Sequence, residues 1–135
     1  MRMSPLLLLL FGALATPARS TNAQRPAPPT VLGEWRGRST CLVRPSPCND
    51  EVVVYEIRRD STHADSLIMQ ADKIVNGARE GMGDLRCGWN APALECPMRG
   101  GRWRFALRGD TLTGSLDLPD GRRFRDVLVT RSRAP

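Results

Sequence analysis

Short runs of alternating apolar and polar residues, separated by turn residues, occupy the chain from residue 31 onward. The side chains of a strand point to opposite faces in turn, so a half-buried strand repeats every two residues, whereas a helix repeats every three to four. The pattern therefore predicts eight strands. They cover residues 31–38, 51–59, 65–75, 81–89, 93–98, 101–108, 111–118 and 122–133.

The connections between these strands are mostly short and rich in turn residues. Asn76-Gly77 is a strong hairpin signal, and Gly109-Asp110 and Pro119-Asp120-Gly121 mark two further turns. Strands joined in this way form an antiparallel meander with one buried face. Because closure removes the exposed sheet edges, we predict an all-β fold, a small eight-stranded antiparallel up-and-down barrel. A two-sheet β-sandwich is the alternative.

The apolar positions of the strands define a predicted interior. An eight-stranded barrel is just wide enough to be filled by its own side chains or to hold one small ligand. Most of these residues are large, so a filled core and a small apolar pocket both stay open, with Gly33, Gly37 and Gly114 as the obvious sources of space. The predicted interior consists of Trp35, Val53, Tyr55, Ile57, Leu67, Met69, Leu85, Leu94, Met98, Trp103, Phe105, Leu107, Leu112, Leu116, Leu118, Phe124 and Leu128.

The first 23 residues have the layout of a secretory signal peptide. Arg2 precedes an apolar run at residues 6–15, and Thr21-Asn22-Ala23 supplies a small-x-small cleavage site. The run is too short for a membrane span, which needs about 20 apolar residues. We therefore predict a signal peptide over residues 1–23 and a protein exported to the periplasm or the extracellular space.

Cleavage after Ala23 is favoured, and cleavage after Ser20 or Ala15 remains an alternative. Residues 24–30 are rich in proline and have nothing to bury, so they predict a short extended linker. Residues 31–133 are the predicted barrel domain.

Charge changes this picture little. Without residues 1–23, which hold two arginines and no acid, the formal charge falls from +6 to +4. Arginine suits phosphate recognition, but proteins that bind single strands also expose aromatic platforms. The aromatic residues here mostly alternate toward the predicted interior. A solvated positive face explains the arginines, and we expect no nucleic-acid partner.

The four cysteines predict disulfides. An even number of cysteines in a small exported domain is typical of disulfide bonding. Three pairings are open, and the local pairing of Cys41 with Cys48 and of Cys87 with Cys96 is favoured, because each pair brackets a turn signal. Gaps of six and eight residues do not suit the short knuckles of structural zinc sites. We expect neither a metal nor a cofactor.

Gly33-Glu34-Trp35 resembles the G-x-W element of lipocalins and related calycin barrels. In that superfamily a basic residue of the last strand packs over this tryptophan, and the resemblance implies that Arg131 does so here. The folded part is shorter than a typical lipocalin and lacks its other motifs and its flanking helix. The resemblance implies a lipocalin-like barrel that binds a small apolar ligand, with the candidate ligand-binding residues Trp35, Tyr55, Trp103, Phe105 and Arg131.

Two further resemblances widen the functional alternatives. The segments at residues 46–51 and 71–77 are similar to parts of small exported bacterial proteins, a resemblance that implies no activity. Periplasmic inhibitors of metalloproteases are also small disulfide-bearing eight-stranded barrels with an early Gly-x-Trp. The alternative function is therefore a protein-binding module, such as a protease inhibitor, that acts through the N-terminal stub or the loops.

Catalytic signals are weak. His63 lies in a polar loop, where Asp60 or Asp65 could orient it as a general base, but a solvated loop histidine is the better interpretation. No G-x-S-x-G, H-E-x-x-H, P-loop or G-x-G-x-x-G pattern is present. We therefore expect a monomeric binding protein and not an enzyme.

Overall fold

The computed structural model describes residues 29–134, which form a closed barrel of eight antiparallel strands in sequence order. The predicted fold class is confirmed, and residues 29–134 contain no helix, hence none that could cross a membrane. The predicted signal peptide and residues 24–28 of the predicted linker lie outside the described residues. The strands are β1 (Gly33–Cys41), β2 (Glu51–Arg59), β3 (Ser66–Val75), β4 (Ala78–Asn90), β5 (Ala93–Met98), β6 (Gly101–Arg108), β7 (Thr111–Asp117) and β8 (Arg123–Arg133).

The strand predictions hold closely, and three of the eight ranges are identical. The largest differences are in β1, which covers residues 33–41 and not 31–38, and in β4, which begins at Ala78 and not at residue 81. Asn76 and Gly77 have φ angles of 50° and 80°, the left-handed conformation that a two-residue hairpin turn of this kind requires. The turn therefore consists of these two residues alone, and β4 starts directly after it.

The barrel has two different ends. The β1–β2, β3–β4, β5–β6 and β7–β8 connections lie at one end, which we call the open end. The other three connections lie at the opposite end. Residues 29–32 also lie there, before β1, and we call it the closed end.

A tryptophan and an arginine seal the closed end. Trp35 is fully buried and donates a hydrogen bond from Nε1 to the carbonyl oxygen of Val31, at 2.9 Å. The Arg131 guanidinium lies 4.2 Å from the centroid of the Trp35 ring, where it gains a cation–π attraction. Arg131 also donates to the carbonyl oxygens of Leu32 and Thr30, both at 2.6 Å. The position that the resemblance implied for Arg131 is the one observed.

The predicted interior is right at most positions and wrong in β8. Val127 and Val129 are buried there, whereas Leu128 points outward and is 56% exposed. The run Val-Leu-Val has no alternation to set its phase. The contact of Arg131 with Trp35 sets it instead, because residues two apart on a strand share a face. Met98, also predicted inside, is 41% exposed at the open end.

Two of the glycines expected to create space are sites of close packing. A Cβ on Gly114 would collide with the ring of Phe105, and a Cβ on Gly37 would collide with the backbone of β8 at Leu128. These glycines let a ring and a neighbouring strand approach the backbone. Any free volume in the barrel must therefore come from other positions.

Both predicted disulfides are present. Cys41–Cys48 closes the loop between β1 and β2 at the open end, and Cys87–Cys96 joins β4 to β5. The local pairing is confirmed, and no cysteine among the described residues is free. Disulfides persist in oxidising compartments, so the pairing fits export.

Candidate functional site

The inward-facing residues become smaller from β1 to β4 along one row of the sheet. Trp35 pairs with Tyr55, Tyr55 with Ala71, and Ala71 with Gly83. The two large rings fill their side of the barrel, whereas a methyl group and a hydrogen atom leave the side of β3 and β4 unfilled. The sequence of these four positions therefore places free volume beside β3 and β4.

A cavity of about 270 Å³ occupies this space at the open end. Most of its wall is apolar. All three methionines within residues 29–134 border the cavity, and unbranched thioether side chains adapt readily to the shape of a partner. The apolar and aromatic wall consists of Tyr55, Met69, Ala71, Met82, Leu85, Met98, Trp103 and Leu116.

One wall of the cavity is polar, and its charged groups are paired: Asp84 accepts a hydrogen bond from Arg58 at 3.2 Å, and Arg125 lies beside Glu51. Arg125 of β8 points inward, is largely buried, and donates a hydrogen bond from Nη1 to the Ser39 hydroxyl at 3.0 Å. The same nitrogen lies 3.6 Å from Oε2 of Glu51. The guanidinium and the carboxylate compensate each other in a site that holds them away from bulk water. The wall therefore offers hydrogen-bonding groups without a strong preference for an anion.

Three aromatic rings contact one another in a row, and the first and last of them, Tyr55 and Trp103, border the cavity. Tyr55 meets Phe105 edge to face at a centroid distance of 5.8 Å, and Phe105 stacks with Trp103 at 6.0 Å. Burial raises the pKa of Tyr55, so its hydroxyl stays protonated at physiological pH. This hydroxyl makes no hydrogen bond within residues 29–134. A neutral donor is thus available to a ligand.

The pairing of β4 with β5 is short, which leaves a gap between the two strands beside the cavity. β4 has 13 residues, but only Gly88, Trp89 and Asn90 pair with β5. The Cys87–Cys96 disulfide lies one residue beyond the last pair, so it fastens the two strands where they begin to separate. Toward the open end, Met82 on β4 and Met98 on β5 stand on the two sides of this gap. We call it the β4–β5 seam.

The structure divides the candidate ligand-binding residues between the two ends. Tyr55 and Trp103 line the cavity, and Phe105 supports both from behind. Trp35 and Arg131 form the closed-end seal and do not border this cavity. The open-end cavity thus uses two of the five candidates directly and a third as support.

Sequence reasoning missed the polar wall. Ser39, Glu51 and Arg125 are polar residues on the inner face of strands, and an alternation pattern assigns polar residues to the outer face. The signal for Arg125 was present in the pairing of Arg131 with Trp35, since steps of two residues from position 131 reach position 125 on the same face.

The loop that contains His63 is organised by a carboxylate at the closed end. Asp60 accepts hydrogen bonds from the Thr62 hydroxyl at 2.7 Å, from the Thr62 amide at 2.8 Å and from Arg86 Nε at 2.8 Å. These bonds lower the pKa of Asp60. His63 is exposed and lies 3.5 Å from the same carboxylate. The cluster joins the loop to β4, and no group of His, Cys, Asp and Glu within residues 29–134 could hold a metal ion.

Comparison of the chain with protein families, with curated proteins and with solved structures gave no match in any of the three.

Proposed function

We propose that the protein is an exported, non-enzymatic binding protein of lipocalin-like type that holds a small apolar ligand in the open-end cavity. The cavity itself is the observation that supports the proposal, because a barrel filled by its own side chains would have no room for a ligand. Its wall combines a large apolar surface with a few polar groups that fix orientation, which is typical of small-molecule sites.

The volume of the cavity limits the ligand. Sites for drug-sized molecules usually measure about 300–1,000 Å³, and a dry cavity of about 150 Å³ binds benzene. About 270 Å³ suits a molecule near the size of naphthalene or a medium-chain acid or alcohol. The Tyr55 hydroxyl and the Arg125 guanidinium would bind one polar group at its end.

Trp103 provides the readout for a first test. We expect 1-naphthol and octanol to change the tryptophan fluorescence in a saturable manner, because Trp103 borders the cavity. The change should disappear in Trp103→Phe and persist in Trp89→Phe. No saturable change with any probe of this size would contradict the proposal.

A matched pair of substitutions locates the site. Ala71→Leu adds the same atoms as Ala106→Leu, but Ala71 borders the cavity and Ala106 is exposed on the outer face of β6. Filling the cavity should weaken probe binding at least tenfold in Ala71→Leu and leave it unchanged in Ala106→Leu. Equal effects of the two substitutions would exclude the open-end cavity as the site.

The alternative function, a protein-binding module such as a protease inhibitor, makes a different spatial prediction. Arg131 holds Thr30 at the closed end, which is opposite the cavity. Deletion of residues 24–28 should therefore leave probe binding intact. If that deletion abolished inhibition of a protease, the alternative would be favoured.

Export has its own test. A signal peptide over residues 1–23 predicts that the full chain, produced in a bacterium, appears outside the inner membrane with Gln24 as its first residue. N-terminal sequencing of the purified protein would show this. Retention of the whole chain in the cytoplasm with reduced cysteines would contradict it.

A further inference from the structure

The polar groups of the open-end cavity come mainly from three neighbouring strands. Ser39 of β1 pairs with Glu51 of β2, and Arg125 of β8 reaches the Ser39 hydroxyl from the other side of β1. Tyr55 lies on the same face of β2 as Glu51, four positions further along the strand. These strands therefore contribute one carboxylate, one guanidinium and two hydroxyl groups to the cavity wall.

Two of these groups have hydrogen-bonding capacity that the chain does not use. Tyr55 is only 2% exposed, but its hydroxyl makes no hydrogen bond within residues 29–134 and is still accessible, so it opens into the cavity. The Glu51 carboxylate accepts no hydrogen bond within the same residues, since Arg125 Nη1 is 3.6 Å away. An ionised carboxylate only accepts hydrogen bonds, whereas a phenol can donate one.

The Tyr55 hydroxyl lies within range of both charges of the wall. Burial has the largest effect on the pKa of this hydroxyl and raises it, Arg125 lowers it, and Glu51 raises it. A ligand group beside the hydroxyl would therefore lie near the guanidinium and the carboxylate as well. A group that both donates and accepts hydrogen bonds, such as an alcohol, fits this position because it can donate to Glu51 and accept from Tyr55.

The charged groups of the wall already have partners. Glu51 compensates Arg125, and Asp84, the second carboxylate of the lining, accepts a hydrogen bond from Arg58 at 3.2 Å. Transfer of an ion from water into an apolar site is costly unless an opposite charge receives it. A carboxylate ligand would compete with Glu51 for Arg125, and an ammonium ligand would compete with Arg125 for Glu51. An uncharged hydroxyl group meets neither obstacle.

We propose that the Glu51–Arg125 pair makes the open-end cavity selective for ligands with an uncharged hydroxyl group, and that it rejects carboxylates and amines of the same length. The inference rests on the proposed function, because it concerns the ligand of the same cavity. The ligand hydroxyl donates to Glu51 and accepts from Tyr55, while the apolar wall contacts the carbon chain. Glu51 and Arg125 are thus specificity-determining residues, since each compensates the charge that would otherwise attract an ion.

Three ligands with the same chain and different end groups test the selectivity. At pH 7 octanol is uncharged, octanoate is an anion and octylamine is a cation. We expect the fluorescence of Trp103 to report octanol binding that is roughly tenfold tighter, or more, than the binding of either ion. An ion that binds as tightly as octanol would overturn the inference and leave the proposed function standing. Absence of saturable binding for all three would overturn the proposed function and the inference with it.

Removal of one charge at a time should change the selectivity in opposite directions. Glu51→Gln leaves Arg125 without its carboxylate, so octanoate binding should tighten roughly tenfold or more. Arg125→Gln leaves Glu51 unpaired, so octylamine binding should tighten by a similar factor. Octanol should gain in neither variant. If neither ion gained in the variant that frees its counter-charge, the inference would be wrong.

Glu56→Gln is the matched control, because Glu56 lies on the same strand as Glu51 but is exposed on the outer face. It removes the same charge from the protein, so all three affinities should stay unchanged. A gain of octanoate binding as large as in Glu51→Gln would show that net charge sets the selectivity, and would overturn the inference. Circular dichroism checks that each variant is folded, and the three ligands on the natural chain decide the question without any variant.

Discussion

The two ends of the barrel are built from the same strands but differ in what the strands contribute. Toward the closed end, β3 and β4 supply Leu67 and Cys87, which pair with each other and are buried. Toward the open end the same strands supply Ala71 and Gly83, again a pair. The change from large to small side chains along two strands accounts for a packed closed end and a cavity at the open end.

The two ends also differ in what their buried arginines contact. At the closed end Arg131 donates hydrogen bonds to two backbone carbonyl oxygens and to Asp110. Each of these bonds connects β8 to another segment of the chain. At the open end Arg125 contacts Ser39 and Glu51 beside free volume. The contacts at the closed end therefore hold the fold together, while the polar groups at the open end lie beside free volume, where the proposed ligand would bind.

The strongest test of this comparison removes one tryptophan from each end. Trp35→Ala should lower the free energy of unfolding by about 3–5 kcal/mol, the usual cost of deleting a fully buried large ring. Trp103→Ala should cost clearly less, because Trp103 is only half buried and already borders a cavity. Urea unfolding followed by circular dichroism would measure both. Equal losses would show that the two ends contribute alike to stability.

Removal of a disulfide is expected to cause an intermediate loss of stability. In the loop-closure model each bridge removes about 2.5 kcal/mol of chain entropy from the unfolded state. Replacing either pair by alanine should lower stability by up to that amount. Only the Cys87–Cys96 replacement should also weaken probe binding, because this bridge holds β4 and β5 together beside the seam. Equal effects of both replacements on probe binding would show that the seam does not shape the cavity.

Much of the fold could be predicted from the sequence. The strands, the Asn76-Gly77 turn, the disulfide pairing and the contact of Arg131 with Trp35 all follow from local patterns or from the resemblance, and all are observed. These features depend on residues close in sequence, or on a motif that pairs the first strand with the last.

The cavity could not be predicted in the same way, because it depends on which residues face each other across strands. The register of β3 and β4 shifts between Ala71 and Asp72, and this irregularity brings Met82 to the cavity. Pairing of β4 with β5 ends after three residues. The alternation of apolar and polar residues in β4 indicates neither the register shift nor the short pairing. The sequence therefore did not distinguish a filled core from a barrel with a pocket.

A smaller effect, dependent on pH, is expected at the closed-end loop. Hydrogen bonds from Thr62, followed by Arg86, lower the pKa of Asp60 in the folded protein. The carboxylate therefore contributes stability above its unfolded pKa of about 3.9, and this contribution is lost as the pH falls through the lower folded value.

Asp60→Asn should accordingly lower the melting temperature by several degrees at pH 7. The difference between the variant and the natural chain should shrink as the pH falls below about 4. Asp65→Asn, in the same loop but without these contacts, is the control. A difference that stays constant down to pH 2 would mean that the ionised carboxylate is not what fastens the loop.

The smallest effect on stability is expected at three exposed apolar side chains of the open end, Leu42, Val75 and Met98. Leu42→Gln, Val75→Gln and Met98→Gln should each change the free energy of unfolding by no more than about 0.5 kcal/mol, since these side chains are exposed and surface substitutions usually lie within that range. Urea midpoints would show it. A cost above about 1 kcal/mol would show that these side chains pack as part of the core.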